Sequence, residues 1–168
     1  MKAIAAMASN RAIGHKHSLP WDFKEYPSDL VHFRELTKGS KLVVGANTFK
    51  GFSEKSIASI IKDRTIYILT RDPSWLINET GIKRLAWGVR IFDITDIDQV
   101  PEDAWICGGA KIYKELLPAC DELFLTYIYK DYPADTFFPN FEEDFHLKDK
   151  NVSMYGGLEF RRYINKYL

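Results

Sequence analysis

Leu19-Pro20-Trp21-Asp22-Phe23-Lys24-Glu25-Tyr26-Pro27-Ser28-Asp29-Leu30-Val31-His32-Phe33-Arg34-Glu35-Leu36-Thr37 is the stretch around which the chain is organised. Pro27 suits the first turn of a helix, where its missing N–H would have had no partner, and a helical period follows it. Asp29, Phe33, Leu36 and Thr37 fall on one face, and Ser28, His32 and Glu35 fall on the opposite, wet face. Asp29 therefore lies in line with Phe33 and Leu36 on the side that looks inward, close behind a loop carrying Trp21. A lone acid on an apolar face needs a partner. As a first-turn residue it would complement the helix dipole, worth ~0.3–1 kcal/mol. Alternatively it is a carboxylate at the floor of an apolar pocket, awaiting a cationic or amidine-like ligand that offers two parallel hydrogen bonds. Composition alone favours the first reading; the rest of the chain favours the second.

The 168 residues amount to one domain, 1–168, long enough to bury a substantial core. A hydrophobic fraction of 46% marks a globular protein, and 23 basic against 23 acidic residues leave no net charge to draw in nucleic acid or an anionic membrane. Apolar runs such as Ala3 to Ala8 and Ile57 to Ile61 are too short to span a bilayer, and the N-terminus lacks a secretory core, so a cytoplasmic location is expected. Cys107 and Cys120 form neither a metal spacing nor a disulfide framework, and are read as buried, reduced thiols with no metal site.

Lys2 to Ala8 reads as a buried strand ending at the turn Ser9-Asn10-Arg11. The loop from Ile13-Gly14 to Trp21 is long for a compact domain and has the character of a lid, with His15 and His17 as solvated loop residues. Lys38-Gly39 stops the first helix. Lys41 to Val44 is a strand, followed by Gly45-Ala46-Asn47-Thr48; strand, glycine, then a helix start presents free N–H groups to a phosphate. The pattern recurs where Ala104 to Cys107 leads into Gly108-Gly109-Ala110-Lys111, with Ile112 to Leu117 helical up to Pro118. Two such junctions without GxGxxG suggest a dinucleotide held across sheet ends. Arg64 and Arg71 flank the strand Thr65 to Thr70, each a solvated charge or a grip on a carboxylate or phosphate. Ser74 to Gly88 shows no period, Val89 to Phe92 reads as a strand, and Asp96 to Val100 as at most a helical turn. Glu122 to Ile128 and Leu158 to Tyr163 complete the strands. Strands alternating with helices indicate an α/β fold with a mainly parallel sheet, its last elements an antiparallel addition.

Taken in order, the motifs resemble dihydrofolate reductase along nearly the whole chain: Ile4-Ala5-Ala6, Ile13-Gly14, Leu19-Pro20-Trp21, Asp29-Leu30, Phe33, Val44-Gly45, Thr48, Arg64, Thr70-Arg71, Gly108-Gly109, Ile112-Tyr113, Leu117-Pro118, Thr126 and Asp135-Thr136-Phe137-Phe138-Pro139. The resemblance implies a mixed, mostly parallel eight-stranded sheet with helices on both faces, and reduction of dihydrofolate to tetrahydrofolate by NADPH. It makes Asp29 and Trp21 the catalytic pair. Asp29 would hold the pterin and favour protonation of N5 through the ring and a water that Trp21 helps to order. Substrate-binding residues would be Ile4, Ala5, Leu30, Phe33, Phe52, Cys107, Tyr113 and Thr126, with Arg64 on the α-carboxylate of the substrate's glutamate. Ala6, Ile13, Gly14, Leu19, Gly45, Ala46, Asn47, Thr48, Leu69, Cys107, Gly108, Gly109, Ala110, Lys111 and Ile112 would line the cofactor, with Thr70 and Arg71 near its 2′-phosphate. Ser9 to Phe23 would be a mobile lid. The implied partners are dihydrofolate and antifolate inhibitors, with no nucleic acid or membrane, and a monomeric enzyme.

The chain departs from that pattern at three places. Ala46 and Asn47 stand where many relatives carry cationic or imidazole groups for the cofactor phosphates, which shifts weight onto Arg71. The segments 22–28 and 51–63 look lengthened, and Gly51 replaces a serine or threonine often found after the first cofactor helix. Two other functions compete: a pyrimidine reductase of flavin synthesis, which would have no use for Asp29 beside Phe33 or for Arg64, and a nucleotide-binding module without turnover, which would not need the pair Trp21 and Asp29.

Overall fold

The computed structural model describes residues 1–72, 91–152 and 156–168. In chain order its elements are β1 (Lys2–Ala8), β2 (Ala12–Gly14), α1 (Pro27–Leu36), β3 (Lys41–Gly45), α2 (Ala46–Lys50), α3 (Glu54–Ile60), β4 (Thr65–Leu69), β5 (Ile91–Ile94), β6 (Trp105–Ile106), α4 (Ala110–Leu116), β7 (Glu122–Ile128), β8 (Thr136–Phe137), β9 (Phe145–Val152) and β10 (Leu158–Asn165). Eight strands form one sheet in the order β5-β4-β3-β6-β1-β7-β10-β9, and β2 pairs with β8 separately. The first six in that order run parallel; β10 joins β7 antiparallel, and β9 joins β10 likewise. The mixed, mostly parallel α/β architecture read from the sequence is the one observed.

Parallel strands covered on both faces need apolar residues at successive positions, and β1, β3 and β7 supply them. Alternation along the strands then sorts the core. Ile4, Leu42 and Trp105 pack with Phe33 and Leu36 of α1, and Val44, Ile66 and Ile68 pack with Phe49 of α2 and Ile57 of α3. Ala3, Ala5, Val43, Leu123 and Leu125 face the other way, against Ile112, Tyr113 and Leu116 of α4. Each fully buried leucine or isoleucine in these layers contributes about 1.5–3 kcal/mol. Consecutive parallel strands diverge around β6, which lies between β3 and β1. A ligand crevice belongs at the carboxyl ends of such strands, here Ala8, Gly45 and Ile106.

Several expectations need correction. His32 does not face water: its ring stacks on Phe160 of β10 at 4.0 Å between centroids, because β10 extends the sheet beneath that side of α1. His15 is half-buried rather than solvated, although His17 is exposed. Pro118 does not end the helical path, since Leu117–Ala119 continues α4 as a 3-10 turn with the proline in its first turn, where no donor is required. The segment 51–63 holds α3, started by Ser53, whose side chain accepts from the Ser56 N–H at 3.1 Å. The edge strand β9 was not anticipated: Phe145-His146-Leu147-Lys148-Asp149-Lys150 alternates too weakly to announce itself. Ser74 to Gly88 lies outside the described residues, as do the first two positions of the expected strand Val89 to Phe92; the observed strand is Ile91–Ile94.

Candidate active site

The segment between Trp21 and α1 folds into a 3-10 turn, Phe23–Glu25, closed by a capping box in which Asp22 accepts from the Lys24 N–H at 2.9 Å and Glu25 accepts from the Asp22 N–H at 3.1 Å. Pro27 then opens α1. This places Asp29 against β7, where the Thr126 hydroxyl faces its carboxylate. Burial pushes the Asp29 carboxyl above its ordinary range, and the Thr126 hydroxyl offsets part of that rise. Among the described residues no cation pairs with it. Tyr113 lies close enough for the Asp29 charge to add to the burial that pushes its phenol up; that phenol donates to the Ile4 carbonyl at 2.7 Å. Asp29, Thr126, Tyr113 and Ile4 thus come together across the middle of β1 and β7.

The residues expected as apolar walls fall in adjoining clusters. Ile4, Phe33 and Cys107 share one cluster; Phe52 packs beside Phe49 and Cys107 in the next; Ala5 is buried and Leu30 half-buried. Burial raises the Cys107 thiol above its ordinary range, so it is a packed neutral group. Trp21 is 5% exposed, wedged against Tyr26 and Tyr132. Arg64 differs from a solvated strand-end charge: it is 6% exposed, its Nε donates to Thr37 Oγ1 at 2.9 Å, one terminal nitrogen donates to the Arg34 carbonyl at 2.6 Å, and the other pairs with Asp63. It caps the C-terminal turn of α1. With three of its five N–H groups so engaged, each terminal nitrogen keeps one free hydrogen.

The two strand–glycine–helix junctions lie side by side. The Gly45 N–H donates to the Gly108 carbonyl at 2.7 Å. Gly108 has φ +100°, and a Cβ there would sit 2.9 Å from the Tyr113 ring; a Cβ on Gly109 would sit 3.0 Å from Thr48 Oγ1. The Gly108–Gly109 peptide is cis. These contacts leave a bare backbone cradle at the sheet's centre, flanked by Ala46, Ala110 and buried Ile112, a surface that fits a nicotinamide dinucleotide lying across it. Leu69 and Ile13 are half-buried against the same core, and Ala6 packs toward Trp21. Asn47, Arg71 and Lys111 are exposed at the rim. Thr70 closes a small turn with Asp72, whose N–H donates to its hydroxyl at 3.2 Å.

The loop after β1 is more ordered than its sequence suggests. Its β2 strand pairs with β8, with Gly14 against Thr136; His15 and Ser18 exchange hydrogen bonds of 2.9 and 3.0 Å around Lys16 and His17, both at positive φ. Asp135 accepts from the Lys16 N–H at 2.8 Å, and its own N–H donates to the Gly14 carbonyl at 3.1 Å. Leu19 remains 50% exposed. Sequence reading missed Thr37, Asp135, Phe160, Tyr26 and Tyr132. Thr37 carried a signal through its place on the inward face of the first helix and Asp135 through a quoted motif, whereas nothing in the sequence marked the pairing of Tyr26 with Tyr132 or of Phe160 with His32.

The family model described as dihydrofolate reductase matches residues 1–156. Among curated relatives, dihydrofolate reductase of Bacillus subtilis is 31% identical over 140 residues, covering 83% of this chain and 76% of its own. Dihydrofolate reductase type 3 of Salmonella typhimurium is 34% identical over 138 residues, covering 82% and 77%. Among solved structures, dihydrofolate reductase from Enterococcus faecalis complexed with NADP(H) and RAB-propyl superposes with a TM-score of 0.77 at 25% identity, covering 98% of this chain and 95% of that one.

Proposed function

Because this chain belongs to the dihydrofolate reductase family and carries out the NADPH-dependent reduction of 7,8-dihydrofolate to tetrahydrofolate, we propose that Asp29 is the acid on which the reaction turns. The carrying observation is a half-buried carboxylate with no cationic partner among the described residues, beside the glycine cradle of β3 and β6. Such a group stabilises a ligand that brings its own paired donors, as the 2-amino group and neighbouring ring nitrogen of a pterin do. NADPH, when bound, supplies the hydride that adds to C6, and a proton adds to N5. Asp29 holds the pterin in one orientation and favours the charged ring by its fixed negative charge, a positioning and electrostatic contribution. Thr126 orients the carboxylate. The Trp21 indole N–H, without a hydrogen-bond partner among the described residues, is free to order the water that delivers the proton.

Ile4, Ala5, Leu30, Phe33, Phe52, Cys107 and Tyr113 form the apolar walls, and the two free hydrogens of Arg64 take the substrate's α-carboxylate end-on. Gly45, Thr48, Gly108, Gly109, Ala110 and Ile112 hold the cofactor, with Ala6, Ile13, Gly14 and Leu19 on its nicotinamide side. Leu69, Thr70, Arg71, Ala46, Asn47 and Lys111 lie toward its phosphates. With Ala46 and Asn47 uncharged, Arg71 is the group that favours the 2′-phosphate of NADPH. Balanced charge and one continuous sheet support a single-domain, monomeric protein of the cytoplasm that binds no nucleic acid; no helix among the described residues is long and apolar enough to cross a membrane.

Following nicotinamide oxidation with dihydrofolate over a range of pH tests the assignment. Asp29→Asn is expected to lose most turnover near neutrality and recover part of it in acid, where the substrate is already protonated. Unchanged turnover at pH 7 would remove Asp29 from the mechanism.

A further inference from the structure

The lengthened segment before α1 brings together groups that the reaction as described does not use. Tyr132, in the connector between β7 and β8, donates its phenol proton to Glu25 at 2.9 Å, and its oxygen lies 2.8 Å from the Tyr26 hydroxyl. An ionised carboxylate only accepts. Tyr132 must therefore donate to Glu25, and Tyr26 must donate to Tyr132: the chain runs in one direction. Glu25 is held below its ordinary range by the Tyr132 hydroxyl and the Asp22 N–H, and burial pushes the Tyr26 phenol up to about 12, so the polarity persists across the neutral range. Lys130 lies 4.6 Å from the centre of the Tyr132 ring and 3.7 Å from Glu25. Both rings abut Trp21, Tyr26 edge-on at 6.3 Å and Tyr132 tilted at 5.6 Å. Tyr132 also receives the start of the loop, since the Asn10 side chain donates to its carbonyl at 2.8 Å.

We propose that Tyr26, Tyr132 and Glu25 are positioning residues for the reduction: their directed hydrogen-bond chain fixes the Trp21 indole against the site and fastens both ends of the segment 9–23 to one residue of the β7–β8 connector. The proposal rests on Trp21 as a wall of the active site. Packing alone would need only the rings; the chain adds a unique rotation for each, and with it one position for the indole N–H.

Tyr132→Phe in the intact protein keeps both ring contacts and deletes both hydrogen bonds, and Tyr26→Phe deletes one. Each is expected to lower kcat roughly ten-fold, as a small misplacement outside the reacting atoms does, with the dihydrofolate KM within about two-fold and the melting temperature lowered by only a few degrees, as the loss of one or two hydrogen bonds requires. Trp21 emission, isolated by subtracting Trp21→Phe, is expected to shift in both variants. The double variant is expected to be no slower than Tyr132→Phe, because both act through one chain. Parent-like kcat in both single variants, losses that multiply, or losses that follow the melting temperature would overturn the proposal. Should the parent fail to oxidise NADPH with dihydrofolate, the active-site reading falls and the emission decides the chain by itself: unchanged Trp21 emission in both variants rejects it.

Discussion

Asp29 and Glu159 are two carboxylates withdrawn from water on opposite faces of one sheet, and their surroundings differ in every respect that matters. Glu159 of β10 is 0% exposed; it accepts from Tyr129, from Arg161 at 2.9 and 3.1 Å, and pairs with Lys150 at 3.3 Å. The Tyr129 hydroxyl and the two cations hold it down to about 2. Asp29 has the Thr126 hydroxyl and no cation among the described residues, and its carboxyl is raised. A fold that can surround one acid with three partners has left the other with almost none. The acid paired with cations is part of the scaffold, its Oε1 held by the Lys150 charge rather than by a hydrogen bond, while burial without a cation makes Asp29 a cost to the free protein and, on the reading proposed above, leaves it for a ligand.

Breaking that contrast at Asp29 has the largest expected effect. Asp29→Asn should lower turnover at pH 7 by about 10²–10⁴-fold, the range associated with a positioned acid or base. Arg64→Leu comes next: loss of the charged grip should weaken binding of glutamate-bearing folates by about 2–5 kcal/mol, and, because the same guanidinium caps α1, lower the melting temperature too. Titration with a pterin lacking the glutamate separates the two, since its affinity should change far less. Glu159→Gln should cost about 1.5–3 kcal/mol of stability, as for hydrogen bonds to a charged group, while leaving kcat and KM near the parent's. A comparable fall in turnover would mean that the two acids are not functionally distinct.

The smallest effect is the sharpest. A raised carboxyl in the folded state means that folding disfavours the ionised form, so Asp29 costs stability as pH rises through the carboxylate range. Asp29→Asn should therefore melt above the parent at pH 7, with the gap closing toward pH 3. Glu159 has the opposite sign. Its contribution is present above the ordinary glutamate range and fades as pH falls toward about 2, so the Glu159→Gln deficit should shrink in acid. Melting curves of both variants at pH 3, 5 and 7 check the pair, and equal pH trends would refute the distinction.

Part of this was legible in the sequence. The bounds of β1 and β7 follow from mostly apolar runs, and the glycine junctions from punctuation between strand and helix. Asp29 stood out because a charge interrupts a helical apolar face. Contacts between residues far apart in the chain carried no such signal. Nothing near Tyr26 announces Tyr132, 106 positions away, and His32 reads as wet until β10 puts Phe160 beneath it. Arg64 stayed open between a solvated charge and a grip on an acid because local pattern cannot show that the end of α1 returns to meet it. The weakly alternating β9 and the brief β2–β8 pair exist through their partners, so periodicity could not reveal them.

The double attachment of Arg64 bears on how this protein can change under selection by drugs. One guanidinium closes the last turn of the helix that carries Asp29 and has two hydrogens unengaged among the described residues, the pair proposed above to take the substrate's carboxylate. On that reading, losing it to escape a carboxylate-bearing inhibitor would also loosen the helix that carries Asp29. Resistance should therefore arise along the apolar walls before it reaches this corner of the cleft.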